Sequence, residues 1–265
     1  MVRPVERWGE SETYERYVGR WSPHVARPFL RWLGPPLGAR WVDVGAGTGV
    51  LTATILEVAA PASVLAVEPE DGFRAYAEHR LPDPRVRVVD GVAERLPVED
   101  GGADAVVSGV VLNFLADQGA TLREMRRAAV GGAVVAVYVW DYTGGLTMTQ
   151  PFWEAAVAVD PEAAELDGSR RFTNTRREAL AEAFRAAGLG AVETRAIEVR
   201  QRYEGFDDYW LPFLGGEGPA PAYVATLDEA TRARLREAPR ARLPAQPDGS
   251  IALTASAWAV RGIAG

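Results

Sequence analysis

The chain has 265 residues and a net charge of −7, which fits one α/β domain with an elaborated cap and argues against general nucleic-acid binding. It contains no cysteine, which excludes disulfides and cysteine zinc sites, and its two histidines predict no metal site. All 29 basic residues are arginine, so a Walker A lysine and a Schiff-base lysine are both excluded. No apolar run reaches the roughly twenty residues of a membrane span, and we expect a cytoplasmic enzyme.

The first predicted element is helical. Apolar and aromatic residues recur there at helical spacing, namely Tyr14, Tyr17, Val18, Trp21, Val25, Phe29, Leu30 and Leu33. Pro35 and Pro36 are expected to end this region before the first strand. Such a stripe is typical of a helix packed on a sheet, and it also suits a lid that closes over a ligand.

A glycine-rich turn follows the first predicted strand. The strand residues Trp41–Val44 lead into Gly45, Gly47 and Gly49, and an apolar helical pattern begins at Leu51. A turn of this kind presents backbone N–H groups and the positive end of the helix dipole to a ligand. Glycine allows the backbone to approach a ligand where a Cβ atom would clash. The pattern therefore predicts a ligand-binding turn.

Three residues around this turn narrow the choice of ligand. Asp43 is placed to orient the turn, and Val50 stands where the dinucleotide fingerprint needs its third glycine. The second predicted strand, Val64–Pro69, ends near Glu68, about twenty residues beyond the turn, where an acid accepts hydrogen bonds from ribose hydroxyls. Glu68 could instead be a solvated acid at a strand end. Together the features favour an adenosine-like ligand at the carboxyl edge of a parallel sheet.

The third and fourth predicted strands bring two more segments to the same edge. The strand Val86–Val89 leads into the loop Asp90–Glu94, and the strand Ala105–Ser108 leads into Ser108–Phe114. Ligands of open α/β sheets bind at the carboxyl ends of the strands. Asn113 is the polar residue of the second segment. It is expected either to make a helix-start hydrogen bond or to contact a substrate.

A fifth strand ends in two polar residues. A helix over Thr121–Ala129 is expected to end at Gly131–Gly132, and the apolar run Ala133–Trp140 predicts a buried strand. Asp141 and Tyr142 follow directly. An acid and a phenol at that edge could accept a proton from a bound molecule. A capping or ion-pair role for Asp141 is the alternative.

The later half of the chain predicts elements beyond a minimal sheet. They are a cap helix over 152–159, a helix over 177–187, a strand over 192–199, an aromatic segment over 206–214, a flexible loop at Gly215–Pro221, an arginine-rich helix over 227–242 and a closing strand over 251–260.

These motifs, taken as a set, resemble one family. The residues that carry the resemblance are VDVGAGTG (Val42–Gly49), Glu68, the segment Gly91–Ser108 and the strand-entry glycines Gly131 and Gly132. They are similar to class I S-adenosylmethionine (SAM)-dependent methyltransferases of the small-molecule branch, which includes the quinone-biosynthesis C-methyltransferases. The resemblance covers most of residues 10–200 and the final strand.

The resemblance implies the fold and its subdivision. We expect an α/β fold with a doubly wound, mostly parallel, seven-stranded Rossmann-like sheet, an N-terminal helical lid and a cap inserted after strand five. The chain would form a single domain. Its parts would be lid helices over 1–36, a SAM-binding core over 37–141, a cap and substrate region with strand six over 142–249, and a final strand over 250–265.

The resemblance also implies a cofactor site. The expected SAM-binding residues are Arg20, Asp43, Gly45, Ala46, Gly47, Thr48, Gly49, Glu68, Pro69, Val92, Ala93, Glu94 and Ser108. Arg20 would bind the methionine carboxylate, since a guanidinium can bind a carboxylate through two hydrogen bonds. Similar proteins often carry an aspartate where Val92 stands. Adenine would therefore be held by backbone near Val92 and Ala93, or by Glu94.

The expected activity is methyl transfer to a small-molecule acceptor, with catalysis mainly by proximity and desolvation. Candidate catalytic residues are Asp141, Tyr142 and Asn113. Candidate acceptor-binding residues are the aromatics Tyr14, Tyr17, Trp153, Phe206, Trp210 and Phe213, which could equally belong to the core.

Three alternatives are open: SAM chemistry other than methyl transfer, such as cyclisation; a nicotinamide-dependent oxidoreductase, which Val50 and the missing lysine disfavour; and a non-catalytic module. The expected partners are the small-molecule acceptor only, without nucleic acid, membrane or metal. The chain is expected to be a monomer or a homodimer.

Overall fold

The structure is a computed structural model that describes residues 11–35, 37–215 and 218–265. Within those residues, seven strands form one sheet. In chain order they are β1 (Arg40–Val44), β2 (Ser63–Val67), β3 (Val86–Val89), β4 (Ala103–Gly109), β5 (Ala129–Trp140), β6 (Gly190–Tyr203) and β7 (Ile251–Ile263).

Helices and short 3₁₀ turns occupy most of the remaining described residues. The helices are α1 (Ser11–Tyr17), α2 (Ser22–Leu33), α3 (Val50–Val58), α4 (Asp71–Arg80), α5 (Gln118–Ala128), α6 (Gln150–Val159), α7 (Gly168–Arg171), α8 (Arg177–Ala186), α9 (Phe206–Trp210), α10 (Pro219–Ala225) and α11 (Glu229–Arg240). None of these described helices is long and apolar enough to cross a membrane.

The sheet has the order β3-β2-β1-β4-β5-β7-β6. Strands β1 to β5 pair in parallel, and β7 runs antiparallel to β5. Parallel neighbours need crossover connections, which α3, α4 and α5 provide after β1, β2 and β4. The strand order reverses between β1 and β4, which is where ligands bind in open α/β sheets. The predicted doubly wound, mostly parallel, seven-stranded sheet is confirmed.

The chain divides into two compact units. The first, here called the sheet unit, comprises Ser22–Trp140, Asn174–Ile197 and Ala257–Gly265. The second, here called the aromatic unit, comprises the described part of Met1–Trp21 together with Asp141–Thr173 and Glu198–Ser256. The first range of the sheet unit ends at Trp140. The core segment predicted from the sequence, residues 37–141, ends one residue later.

The sheet unit is built around strands that are apolar on both faces. Val107 in β4 and Val137 in β5 are fully buried, as expected for central strands of a parallel sheet covered on two sides. Leu122 of α5 and Phe184 of α8 lie in one buried cluster with Val137. On α2, Phe29 packs edge-on against Tyr138 with ring centroids 5.0 Å apart. The central strands are therefore packed against buried side chains of α2, α5 and α8.

Two glycines predicted to end a helix lie inside a strand. Helix α5 already ends at Ala128, and Gly131 and Gly132 belong to β5. The register of β5 against β4 jumps between Ala103 and Ala105, and Gly132 has a φ of 86°. Glycine accommodates such an irregularity because it has no Cβ atom to clash at positive φ.

Two other boundaries differ from expectation. The first helical region is divided into α1, a 3₁₀ turn at Gly19–Trp21 and α2, while Pro36 lies outside the described residues.

The loop expected to extend to Pro221 ends earlier, because α10 begins at Pro219. Proline is tolerated in the first turn of a helix, where its missing N–H would have no helical partner. Residues 216 and 217 of that loop lie outside the described residues.

The buried position of Leu122 predicts a measurable stability difference. Leu122 is fully buried, whereas Leu37 in the same unit is 84% exposed. We expect Leu122→Ala to lower the free energy of unfolding by about 2–5 kcal/mol, because it removes buried methyl groups and leaves a cavity. The matched control Leu37→Ala should change it by less than about 0.5 kcal/mol. Urea denaturation measures both, and equal effects would contradict the described packing.

Candidate functional site

The turn between β1 and α3 requires glycine at three positions. Gly45, Gly47 and Gly49 have φ values of 69°, 55° and 81°, in the left-handed region that disfavours other residues. Gly49 is also the N-cap of α3 and provides no side-chain cap. The first backbone N–H groups of α3 are therefore not capped by the residue that precedes them.

The surroundings of the three glycines differ. A Cβ atom on Gly45 would lie 2.6 Å from Cγ2 of Val111, and one on Gly49 would lie 2.7 Å from Cδ1 of Leu81. A Cβ atom on Gly47 would meet no described atom within 4 Å. Gly45 and Gly49 thus serve close packing, whereas the backbone at Gly47 is open to a ligand.

Glu68 holds this turn from the end of β2. Its side chain is buried, and its Oε2 atom accepts a hydrogen bond from the backbone N–H of Gly47 at 2.8 Å. Its Oε1 atom accepts one from the N–H of Glu70 at 3.0 Å. Burial raises the pKa of Glu68, and these two N–H groups oppose that shift. The acid expected at this position from the sequence lies directly against the glycine turn.

Asp43 is buried beneath the turn. Its Oδ2 atom accepts a hydrogen bond from the Thr52 hydroxyl at 2.7 Å, and its Oδ1 atom has no partner among the described residues. Burial raises the pKa of Asp43 to about 7, with a further rise from the charge of Glu68 and an opposing effect from Thr52. The carboxyl group ties β1 to α3 and leaves one oxygen free.

The segment after β4 lies against the same turn. The Ser108 hydroxyl donates to the carbonyl of Val44 at 2.7 Å, which fixes the end of β4 beside the end of β1. Asn113 is buried, and neither its Nδ2 nor its Oδ1 atom has a partner within the described part of the chain. The helix-start hydrogen bond considered for Asn113 is made by Asp117 instead, which accepts from the N–H of Ala120 at 2.8 Å.

The loop expected to face adenine is partly exposed to solvent. Val92 is 44% exposed and pairs with Arg95 in an isolated antiparallel bridge. Ala93 is buried, whereas Glu94 and Pro69 are exposed. Arg74 was not among the predicted site residues, and its Nη1 atom donates to the carbonyls of Glu68 and Pro69. An arginine in a surface helix gave no signal for this contact.

Arg20 is engaged within the aromatic unit. Its two terminal nitrogens donate to the two carboxylate oxygens of Asp208 at 2.8 and 3.1 Å. Its guanidinium also lies over the rings of Trp21 and Tyr203, at 4.7 and 5.3 Å from their centroids. A ligand carboxylate would have to replace Asp208 as its partner. The role expected for Arg20 stays a prediction.

The other catalytic candidates also belong to the aromatic unit. The Oδ1 atom of Asp141 accepts from the N–H and the hydroxyl of Thr143, at 3.0 and 2.7 Å. These bonds stabilise the turn that follows β5, and no helix begins there. The ring of Tyr142 lies 4.7 Å from that of Phe172. Proton transfer by either residue stays a prediction.

Most acceptor-binding candidates are packed within the aromatic unit. Tyr17, Trp153, Trp210 and Phe213 are buried, whereas Tyr14 and Phe206 are half-buried. The Phe213 ring stacks on Phe152 at 4.6 Å and meets Tyr17 edge-on at 5.3 Å. These rings stabilise the unit by packing, and their part in binding stays a prediction.

The described residues contain no group of three or more His, Asp or Glu that could hold a metal ion.

Known proteins resemble this chain in sequence. Residues 42–137 match the family described as a methyltransferase domain. The demethylmenaquinone methyltransferase of Roseiflexus sp. (strain RS-1) is 29% identical over 177 residues, which are 62% of this chain and 73% of that protein. Residues 42–137, which match the family, contain the glycine turn and Glu68.

Solved structures share the fold. The YcgJ protein of Bacillus subtilis superposes with a TM-score of 0.60 at 16% identity, covering 91% of this chain and 98% of that one. Phosphoethanolamine N-methyltransferase 2 of Haemonchus contortus, solved with S-adenosyl-L-methionine, gives a TM-score of 0.60 at 17% identity. It covers 96% of this chain and 56% of that one.

The raised pKa of Asp43 predicts a pH-dependent stability. Because the folded-state pKa of about 7 is above that of an unfolded aspartate, about 4, the folded protein retains a proton that the unfolded chain has lost between these values. The contribution of Asp43 to stability therefore falls as the pH rises through this window. We expect the free energy of unfolding, measured by urea denaturation, to fall in the wild type relative to Asp43→Asn between pH 4 and 7. Parallel pH profiles would show that Asp43 does not titrate there.

Proposed function

We propose that this chain, which matches a methyltransferase domain over residues 42–137, transfers a methyl group from SAM to a small-molecule acceptor. The observation that carries the proposal is the contact between Glu68 and the glycine turn. A buried carboxylate lies 2.8 Å from the N–H of Gly47, at the one glycine of the turn whose Cβ position is empty among the described atoms. An adenosine-containing ligand would have its ribose hydroxyls beside that carboxylate.

The residues present fit SAM on chemical grounds. SAM carries a positive sulfonium and a positive ammonium group, and two acidic side chains, Asp43 and Glu68, are buried at the turn. Asp43 has one oxygen without a partner among the described residues. A buried acid with a free oxygen is stabilised in its charged form by a nearby cation. The site is therefore suited to a cationic nucleoside.

In this mechanism the protein takes little part in the covalent chemistry and mainly binds and orients the reactants. SAM, when bound, would supply the methyl group: a nucleophilic atom of the acceptor would form a bond to the methyl carbon as the carbon–sulfur bond breaks, and S-adenosylhomocysteine would leave as the neutral thioether. The glycine turn and Glu68 would hold the nucleoside in one orientation, which converts an encounter between two molecules into a reaction between fixed neighbours. A nucleoside seated on the turn would displace water from it. Asp141 and Tyr142 are the proposed proton acceptors where the acceptor must lose a proton.

A small-molecule acceptor is supported by two observations. The Roseiflexus relative acts, by its name, on demethylmenaquinone. The aromatic unit contains many large rings, which provide apolar contact area with few rotamers to fix. We propose that acceptor specificity lies in this unit, with the half-buried Tyr14 and Phe206 as its accessible members. The chain would act as a monomer or a homodimer.

The contact of Glu68 predicts the effect of its substitution on binding. We expect Glu68→Ala to weaken SAM binding by about 1.5–3 kcal/mol, the range for a hydrogen bond to a charged group. The neighbouring acid Glu70 is exposed, and Glu70→Gln should leave the affinity unchanged. Isothermal titration calorimetry measures both. Unaltered affinity in a folded Glu68→Ala protein would refute the ribose assignment.

The difference between two glycines provides a second prediction. Gly47→Ala adds a Cβ atom where no described atom lies, so its cost to folding is confined to the positive φ. It should abolish measurable SAM binding with a small decrease in melting temperature. Gly45→Ala should lower the melting temperature further, since its Cβ atom would clash with Val111. Thermal unfolding and calorimetry test this pair, and tight SAM binding by Gly47→Ala would contradict the proposal.

A further inference from the structure

The strand β6 forms one edge of the sheet. It is hydrogen-bonded to β7 on one side, and no strand of the described residues lies on its other side. Its 14 residues, Gly190–Tyr203, include no proline. Edge strands of natural proteins are often short or interrupted, because their unpaired N–H and C=O groups can pair with another chain. A long edge strand without proline is therefore a place where a second chain can add to the sheet.

The part of β6 that belongs to the aromatic unit has one buried and one exposed face. Val199 and Tyr203 are buried. The residues between and before them, Glu198, Arg200 and Arg202, are exposed. Among the described residues, none outside the sheet makes a hydrogen bond to the backbone between Glu198 and Arg202. This stretch of the edge is therefore accessible to a partner strand.

Two of the three exposed charges are not used within the chain. The guanidinium of Arg202 pairs with the carboxylate of Asp248 at 2.9 Å. In the part of the chain that the structure describes, neither Glu198 nor Arg200 makes an ion pair, and neither side chain makes a hydrogen bond. These two opposite charges stand two positions apart, on the same face of the strand. Each is available to a charge on another molecule.

A second copy of the same strand supplies the matching charges. Two identical edge strands related by a two-fold axis pair antiparallel, and the residues that lie opposite each other are equally far from the axis. With the axis at Val199, Glu198 of each copy lies opposite Arg200 of the other. Opposite charges that face each other across an antiparallel pair are stabilising.

The same charges disfavour the neighbouring registers. With the axis at Glu198 or at Arg200, that residue would lie opposite its own copy, and like charges directly opposite are destabilising. With the axis at Gln201, Arg200 would lie opposite Arg202. The register centred on Val199 is therefore the one that the charge pattern favours.

We propose that this chain forms a homodimer in which two β6 strands pair antiparallel about Val199. Backbone hydrogen bonds between the two edges hold the copies together, and the two pairs of Glu198 with Arg200 set the register. Charged residues on an edge strand usually prevent pairing with other chains. Here their order makes the edge complementary to itself. The dimer does not depend on the proposed function.

Charge reversal tests this interface. Sedimentation velocity over a range of protein concentrations measures the dimer dissociation constant. Glu198→Arg and Arg200→Glu each place like charges opposite each other at both pairs, so each should weaken the dimer about 10- to 100-fold. The matched control Glu182→Arg makes the same charge change at an exposed position of α8 and should leave the dimer unchanged.

Charge exchange tests the register. The double variant Glu198→Arg/Arg200→Glu again places opposite charges across the axis, so it should dimerise as the wild type does. A mixture of the two single variants should form a heterodimer, because one supplies two positive charges and the other two negative charges. Should one single variant fail to fold by circular dichroism, the other single variant and the double variant provide the test.

The outcomes separate the interface from the proposed function. A wild-type protein that sediments as a monomer at every concentration would overturn the inference. A wild-type dimer that neither reversal weakens would lie on another surface, and a loss that the double variant does not restore would refute the pairing about Val199. Titration of the same proteins with S-adenosylhomocysteine reports on the proposed function independently of the oligomeric state.

Discussion

The hydrogen bond from the N–H of Gly47 to the carboxylate of Glu68 is the constraint on which the site depends. It joins a turn whose glycines all have positive φ to the end of the neighbouring strand, over 2.8 Å. The second oxygen of Glu68 is fixed by the N–H of Glu70. Because both oxygens are already oriented, the carboxylate would not have to be ordered on binding the proposed ribose, which would favour affinity.

Contacts on the other side of the turn extend this arrangement. Asp43 connects β1 to α3 through Thr52, and Ser108 connects β4 to β1 through the carbonyl of Val44. These groups lie where the strand order reverses between β1 and β4. The geometry of the proposed SAM site thus follows from the register of three parallel strands and two buried hydroxyl groups. It is contained within the sheet unit.

Structural features that depend on local residue spacing were predictable from the sequence. The glycine turn and the individual strands depend on residues close in the chain, and the seven-stranded sheet predicted from them is confirmed. The ligand-binding roles of the turn and of Glu68 stay predictions. The ion pair of Arg20 with Asp208 joins residues 188 positions apart, so no local pattern indicates it. Gly132 was taken as a helix end because glycine serves helix ends and bulges alike. The missing partners of Asn113 follow from tertiary packing, which composition and spacing do not report.

The central claim is that the glycine turn with Glu68 binds a SAM-type nucleoside and not a dinucleotide. Its most direct test is calorimetric titration of the wild-type protein with S-adenosylhomocysteine and, separately, with NAD. We predict one-to-one binding of S-adenosylhomocysteine and no binding heat with NAD. Binding of NAD without binding of S-adenosylhomocysteine would contradict the account.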